Sequence, residues 1–311
     1  MSLLRPDRAL AAWWFAPAPA ERLAALRILV GAFALGYVAS RLPMFLGYAD
    51  FPARDWAPVG VTRLVDAPVP EPVHVALALA TVVLGALFTA GVAHRALAPL
   101  FALVLLWLLT YRSSWGMVFH TENLLALHVI VLALAPAADA WSWDARRRGR
   151  APAGPAHGWP VRLMAAVTCL SYVLAGVAKL RLGGLAWAEG EYLRDQVAVD
   201  NLRKVLLGAE PSALATPLLE SPGLFGALAV ATLVIELGAP LAMIGPRVGL
   251  AWSVLAWGFH VGVVALMAIV FPYPLLGVAY APLLPVERPL GWLGRRLGRR
   301  LGRRRRRPAP A

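Results

Sequence analysis

The sequence predicts an all-α fold, a polytopic membrane helix bundle of about eight transmembrane helices with both termini in the cytoplasm. Hydrophobic residues make up 59% of the 311 residues and charged residues 15%, against about 45–50% and about 25% in soluble domains. Several apolar runs reach about 18–20 residues, which is long enough to cross a bilayer as a helix. A soluble core could not use so much apolar surface at this chain length.

Eight apolar segments are the predicted spans, and a short interfacial segment precedes them. Residues 1–22 lack a clean signal-peptide cleavage site and are predicted to place Trp13 and Trp14 at headgroup level. The third and fourth spans are short as drawn, and the eighth is punctuated by prolines, so it could be a tilted or broken helix packed against protein. The spans are drawn at residues 23–46, 73–90, 97–110, 124–138, 161–180, 223–243, 250–270 and 273–284.

Basic residues assign the orientation of this bundle. Twenty fall on the side of the termini and seven on the opposite side, and loops rich in arginine stay in the cytoplasm. Residues 286–311 are therefore predicted to be an Arg-rich cytoplasmic tail that binds anionic lipid, after a transmembrane domain at 23–285. Nucleic acid is not expected as a partner, because no groove-reading element accompanies the tail. The bias toward Ala, Arg, Gly and Pro suggests a GC-rich bacterial genome, so the predicted location of this multi-pass protein is a bacterial plasma (inner) membrane.

Two long loops on the opposite side are the only segments large enough to roof a site. They cover residues 47–72 and 181–222, and residues 191–207 of the second have apolar residues at helical spacing. No internal repeat is visible, which disfavours an inverted-repeat transporter. The only cysteine, Cys169, excludes a dithiol relay or a cysteine-rich metal site. No metal-ligand spacing, phosphate loop or nucleophile elbow occurs, so no metal is predicted.

Lys179 is the first candidate for a catalytic residue. Only two of the thirty basic residues are lysines, and this one ends a largely apolar run. A buried lysine can lose its proton, whereas an arginine in a protein cannot. Tyr172 lies on the same helical face, and the small residues Ala175 and Gly176 allow a neighbouring helix to approach closely. The alternative is a boundary lysine that extends to water.

Other ionisable residues lie within or beside the spans. His120 is at the membrane boundary, level with Lys179, where it is either catalytic or a polar interface residue. Glu236 and His260 lie in mid-span, so they either pair with each other or line a site, because buried ionisable groups are costly in lipid. Arg27 lies near the inner end of the first span, where it needs a partner unless it extends to the interface.

Several motifs in the chain match one known family. The stretch YVLAGVAKL at 172–180, followed by AWAEG at 186–190, resembles a signature of the vitamin K-dependent γ-carboxylase family. The signature recurs in its bacterial relatives, the horizontally transferred transmembrane (HTTM) proteins. Further matches keep the family's order: ALRILVGAF at 25–33, FHTENLLALH at 119–128, AWSWD at 140–144 and the closing segment at 258–285. The resemblance covers most of residues 20–288.

The resemblance implies a chemistry. In the carboxylases, the lysine that matches Lys179 is the base that deprotonates vitamin K hydroquinone, and the histidine that matches His120 assists. Oxygen then adds, and the resulting alkoxide removes a glutamyl γ-proton so that CO2 can add. A reduced quinone is thus the implied cofactor, and the enzyme class would be carboxylase-like (lyase or oxygenase chemistry). The residues expected to bind this cofactor are Tyr172, Trp187, Glu236 and His260.

Two departures separate this chain from the carboxylases. Those enzymes continue into a large lumenal domain that holds the substrate, and their paired lysines reduce here to Ala178 and Lys179. True γ-carboxylation is therefore not expected. A peptide or protein is still expected as a substrate. Two alternatives stay open. One is a non-enzymatic membrane partner, or a maturation or immunity factor of a bacterial peptide system. The other is a small-molecule transporter, which intramembrane charges such as Glu236 and His260 would support.

Overall fold

A computed structural model describes residues 6–118, 120–149 and 151–305 of the chain. Every regular element in these ranges is helical, and no β-strand occurs within them apart from one isolated bridge between Ala18 and Gly154. The all-α prediction is confirmed for this part of the molecule. The α-helices are α1 Pro6–Trp14, α2 Ala20–Ser40, α3 Leu42–Gly47, α4 Glu71–Ala90, α5 His94–Arg112, α6 Asn123–Leu134, α7 Trp143–Arg148, α8 Pro155–Gly183, α9 Glu191–Leu206, α10 Ala215–Leu219, α11 Pro222–Leu237, α12 Pro246–Met267, α13 Pro272–Leu275 and α14 Glu287–Arg305.

Five of the described helices are long and apolar enough to cross a membrane. They are α2, α4, α5, α12 and α8, the last continuing as a 3₁₀ helix to Glu189. Two more apolar helices, α6 and α11, fall short of a full span. The predicted multi-pass character is therefore supported by helix length and composition. The number of eight spans and the orientation of the termini stay predictions.

The segment drawn as the eighth span consists of two short pieces. Helix α13 has four residues, and a 3₁₀ helix at Val278–Leu283 follows it. The prolines supply no N–H donor for a longer helix, and Gly277 between the pieces has a φ of 73° that favours glycine. Tyr280 and its neighbours Ala279 and Ala281 are buried, so this broken segment packs against protein.

The chain divides into two compact units. Unit one contains the described parts of Met1–Val118, His128–Val161 and Pro285–Ala311. Unit two contains the described parts of Phe119–Leu127 and Arg162–Leu284. In unit one, α4 packs against both α2 and α5.

Arg27 is a fixed part of unit one, where it has partners and does not extend to the interface. The residue is fully buried. Its Nη1 donates to the carbonyls of Ala137 at 2.7 Å and Ala140 at 3.5 Å, and its Nη2 donates to Trp141 at 2.6 Å. A guanidinium presents several donors in a rigid fork, so it can bind several backbone carbonyls of the turn that follows α6. Arg27 thus holds the 137–141 turn against α2.

Asp144, in the AWSWD motif, stabilises the start of α5. Its carboxylate accepts hydrogen bonds from the backbone N–H groups of Ala93 at 2.9 Å and His94 at 3.0 Å, and from Arg148 Nη2 at 2.9 Å. Partial burial alone would raise the pKa of Asp144, but the two backbone N–H groups and Arg148 outweigh it and lower that pKa. The carboxylate therefore satisfies N–H groups that a helix start leaves without intrahelical partners.

We expect Asp144→Asn to destabilise the protein by about 1–2 kcal/mol at neutral pH, since it removes charge-assisted hydrogen bonds. Because folding depresses the pKa of Asp144, its contribution is fully present above the unfolded value, near 3.8, and is lost as pH falls below it. The difference in thermal unfolding temperature between the two proteins should therefore shrink below about pH 4. The exposed Asp55 is the control: Asp55→Asn should change little, and an equal loss would contradict the capping role.

Candidate functional site

A buried ion pair joins α8 to α11 in unit two. Lys179 Nζ lies 2.6 Å from Oε1 and 2.9 Å from Oε2 of Glu236. The Glu236 side chain is 3% exposed and the Lys179 side chain is 24% exposed. Lys179 therefore does not extend freely to water, because its ammonium group is held by both carboxylate oxygens. The two charges lie on largely apolar helices.

Gly176 explains why these two helices come close enough to pair. A Cβ at this position would lie 2.8 Å from Cδ2 of Leu237 and 3.1 Å from Cβ of Glu236. Gly176 precedes Lys179 by three residues and shares its face of α8. The absence of a side chain at Gly176 therefore lets the Leu237 and Glu236 side chains of α11 pack against the α8 backbone, one turn from the ammonium group.

Trp187 lies beside the ion pair. After α8 ends at Gly183, a 3₁₀ helix at Gly184–Glu189 carries the first four residues of the AWAEG motif, and Gly190 follows it. Lys179 Nζ lies 5.5 Å from the Trp187 ring centroid, within cation–π range. Trp187 is 3% exposed and packs on Ala229 and Leu233. The indole therefore covers one side of the ammonium group with apolar surface.

A second polar cluster lies on α8 and α12. Tyr172 Oη is 2.8 Å from His260 Nε2 and 2.8 Å from Tyr280 Oη. The Trp252 ring meets Tyr172 edge-on, with centroids 4.9 Å apart. His260 is 8% exposed, and its Nδ1 has no hydrogen-bond partner among the described atoms. Burying a ring nitrogen without a hydrogen-bond partner costs free energy, and such nitrogens often belong to functional sites.

The two clusters are neighbours along α8. Tyr172 and Lys179 are seven residues apart, about 10 Å along the helix axis. The alternative pairing of Glu236 with His260 is not what the structure shows, because Glu236 pairs with Lys179 and His260 with Tyr172. Four predicted residues are thus brought together in two adjacent clusters, with Trp187 beside one of them.

His120 lies just before α6. It begins a 3₁₀ helix at His120–Glu122, but its side chain lies outside the described part of the structure. Its catalytic role stays a prediction. The adjacent Glu122 is buried and accepts a hydrogen bond from Thr121 Oγ1 at 2.6 Å.

Sequence reasoning missed Trp252 and Tyr280 as members of the second cluster. Trp252 lies eight residues before His260, so helical periodicity places both on one face of α12. Tyr280 carries a weaker signal, a single phenol within the apolar run VAYAPL. Among the described residues, no group of three or more His, Cys, Asp or Glu side chains could hold a metal ion. The site therefore consists of ionisable and aromatic side chains.

Comparison with known proteins identifies the family of this chain. No curated protein and no solved structure shows significant similarity to it. The family model described as HTTM domain matches residues 15–284, a range that includes every predicted site residue. The helices within this range include those long and apolar enough to cross a membrane. The chain is therefore a multi-pass membrane protein that belongs to the HTTM domain family, which is associated with the γ-carboxylases.

Proposed function

We propose that this protein binds a lipid-soluble reduced quinone in a bacterial plasma membrane and that Lys179 acts as the general base that deprotonates it. The observation that carries the proposal is the ion pair between Lys179 and Glu236 on apolar helices. Charges at such positions are costly and usually mark a functional site. A buried ion pair is also weak evidence for a purely stabilising role, since apolar residues of similar volume often stabilise as well or better.

The ion pair gives Lys179 a way to become a base. In the ground state the ammonium group donates a hydrogen bond to the carboxylate across 2.6 Å. Transfer of one proton from Lys179 Nζ to a carboxylate oxygen of Glu236 leaves a neutral amine and a neutral acid, with no change in net charge. The amine can then accept a proton from a bound phenolic hydroxyl. Glu236 would hold the first proton, and Trp187 would exclude water from that side.

The second cluster supplies features that suit an aromatic, hydroxyl-bearing ligand. His260 Nδ1 is buried and open to a hydrogen bond, while Tyr172 fixes the other ring nitrogen. The Trp252 ring packs against Tyr172, and the Phe271 ring packs against His260. His260 would therefore hold a ring oxygen, and the rings would provide apolar contact. A bound hydroquinone supplies an acidic phenol and, after deprotonation, the electrons for a reaction with oxygen.

The proposal predicts that Lys179→Arg abolishes quinol chemistry while preserving the ion pair. An arginine keeps the positive charge beside Glu236 but cannot lose its proton. With vitamin K1 hydroquinone as the probe and the protein in lipid nanodiscs, we expect oxygen uptake to fall by about 100-fold or more. Binding of oxidised vitamin K1, measured by tryptophan fluorescence quenching, should change little, since the cluster at His260 is untouched.

The matched control is the only other lysine. Lys204 binds Asp200 and the Met267 carbonyl, away from the proposed site, and Lys204→Arg should retain oxygen uptake. Full activity in Lys179→Arg would refute the general-base role. If the wild-type protein neither binds the quinone nor takes up oxygen, the quinone proposal is wrong as a whole. The alternative of a non-enzymatic membrane partner or maturation factor would then be favoured.

A further inference from the structure

Helix α9 has its polarity inverted over its C-terminal half. The apolar residues Val199, Leu202, Val205 and Leu206 are 52–76% exposed. On the opposite side, Asp200 and Asn201 are buried and Lys204 is half-buried. A helix that covers a protein in water shows the reverse arrangement, with its apolar stripe inward and its polar residues outward.

The inward polar residues bind the end of α12. Asn201 Nδ2 donates to the Leu266 carbonyl at 2.9 Å, and Lys204 Nζ donates to the Met267 carbonyl. Asn201 Oδ1 accepts from the backbone N–H of Ser212 at 2.7 Å, and the Ser212 hydroxyl donates to the Ala265 carbonyl. The last carbonyls of α12, which have no intrahelical partner, are thus satisfied by α9 and the turn that follows it.

From this geometry we infer that the C-terminal half of α9 lies in the plane of the bilayer interface, with Val199, Leu202, Val205 and Leu206 in contact with lipid. Within a bilayer every polar group needs a partner inside the protein, and apolar side chains face outward. The polar side chains of Asp200, Asn201 and Lys204 all have partners inside the protein, and the four apolar side chains face outward. This inference does not depend on the quinone proposal.

Two further observations favour lipid as the occupant of this surface. Helix α9 packs on the end of α12, a candidate membrane span that itself exposes Val254, Leu255 and Val261. Arg203 is 57% exposed beside the patch, and its Nη2 pairs with Asp200 Oδ1 at 3.0 Å, so the other donors of the guanidinium could meet a lipid phosphate. The N-terminal half of α9 differs, because Arg194, Asp195 and Gln196 are exposed there. It would therefore lie at the headgroup level or in water.

Spin labelling tests the lipid contact directly. Cys169 is the only cysteine, so Cys169→Ala gives a cysteine-free background, with Cys169→Val as a second background if the first unfolds. Single cysteines at Val199, Leu202 and Leu206 would carry nitroxides in the full-length protein. Asp195→Cys and Gln196→Cys on the same helix are the matched controls. The protein would be reconstituted in vesicles of phosphatidylcholine and phosphatidylglycerol, and power saturation measured with oxygen and with a water-soluble nickel chelate.

We expect oxygen collisions to exceed nickel collisions at the three apolar positions, and the opposite order at both controls. Nickel collisions that exceed oxygen collisions at all three positions would show a water-exposed roof and overturn the inference. Immobilised labels shielded from both reagents would overturn it as well, since they would show that a second copy or a protein partner covers the patch.

Discussion

Replacing Lys179 by Met is expected to lower the free energy of unfolding by about 3–5 kcal/mol, because it leaves a buried charge without its partner. The remaining group is the Glu236 carboxylate, whose side chain is 3% exposed and cannot turn to water in place. Methionine fills a similar volume, so the loss should reflect the missing ammonium group rather than a cavity. Thermal and denaturant unfolding in detergent, followed by tryptophan fluorescence, would measure it.

The reverse truncation should cost less. With Glu236→Gln, Lys179 loses its counter-ion, but its side chain is already 24% exposed, so its flexible stem can carry the ammonium group toward water. The double variant Lys179→Met with Glu236→Leu removes both charges and should recover most of the stability. The double-mutant cycle, closed by the single variants Lys179→Met and Glu236→Leu, isolates the coupling between the two residues. If the effects of the two single changes simply add in the double variant, the ion pair contributes nothing and the proton-transfer scheme loses its structural basis.

Lys179 and its partner show what the sequence could predict about the site and what it could not. The scarcity of lysine and the small residues before it indicated a special lysine with a close helix neighbour, and Gly176 provides that contact. Nothing in the local pattern could select Glu236, which lies 57 residues away and is set by the crossing of α8 and α11. Mid-span position alone could not decide between the pairing of Glu236 with Lys179 and with His260.

Helix positions were predictable because apolar runs of spanning length have few alternatives to a helix in lipid. Three predicted spans are nevertheless divided into shorter helices. Prolines and Gly277 divide 273–284, where the prolines allowed a broken helix. Within 23–46 the helix breaks at Arg41, and within 223–243 α11 gives way to a 3₁₀ helix.

Arg27 shows a different limit. Its position allowed either extension to the interface or a partner within the protein, and three carbonyls of the 137–141 turn, more than 100 residues along the chain, bind it. Long-range partners of this kind depend on packing and not on local pattern.

The last large effect is expected at Gly190, the final residue of the AWAEG motif. Its φ is 94°, a conformation that favours glycine. A Cβ there would lie 2.3 Å from the backbone nitrogen of Gly226 and 2.4 Å from the carbonyl carbon of Phe225 on α11. Because these atoms belong to the backbone, no side-chain rotation can relieve the overlap. We expect Gly190→Ala to destabilise the protein by about 2–5 kcal/mol, from left-handed strain and overpacking together.

Gly208→Ala separates the two causes. Gly208 also has a positive φ, 76°, but a Cβ there meets nothing within 4 Å, so only strain of about 1–2 kcal/mol is expected. The excess loss in Gly190→Ala would then measure the contact between the start of α9 and α11. Since the AWAEG segment holds Trp187 beside Lys179, Gly190→Ala should also change the tryptophan emission, whereas Gly208→Ala should not. Equal losses with unchanged emission in both variants would mean that this contact does not position Trp187.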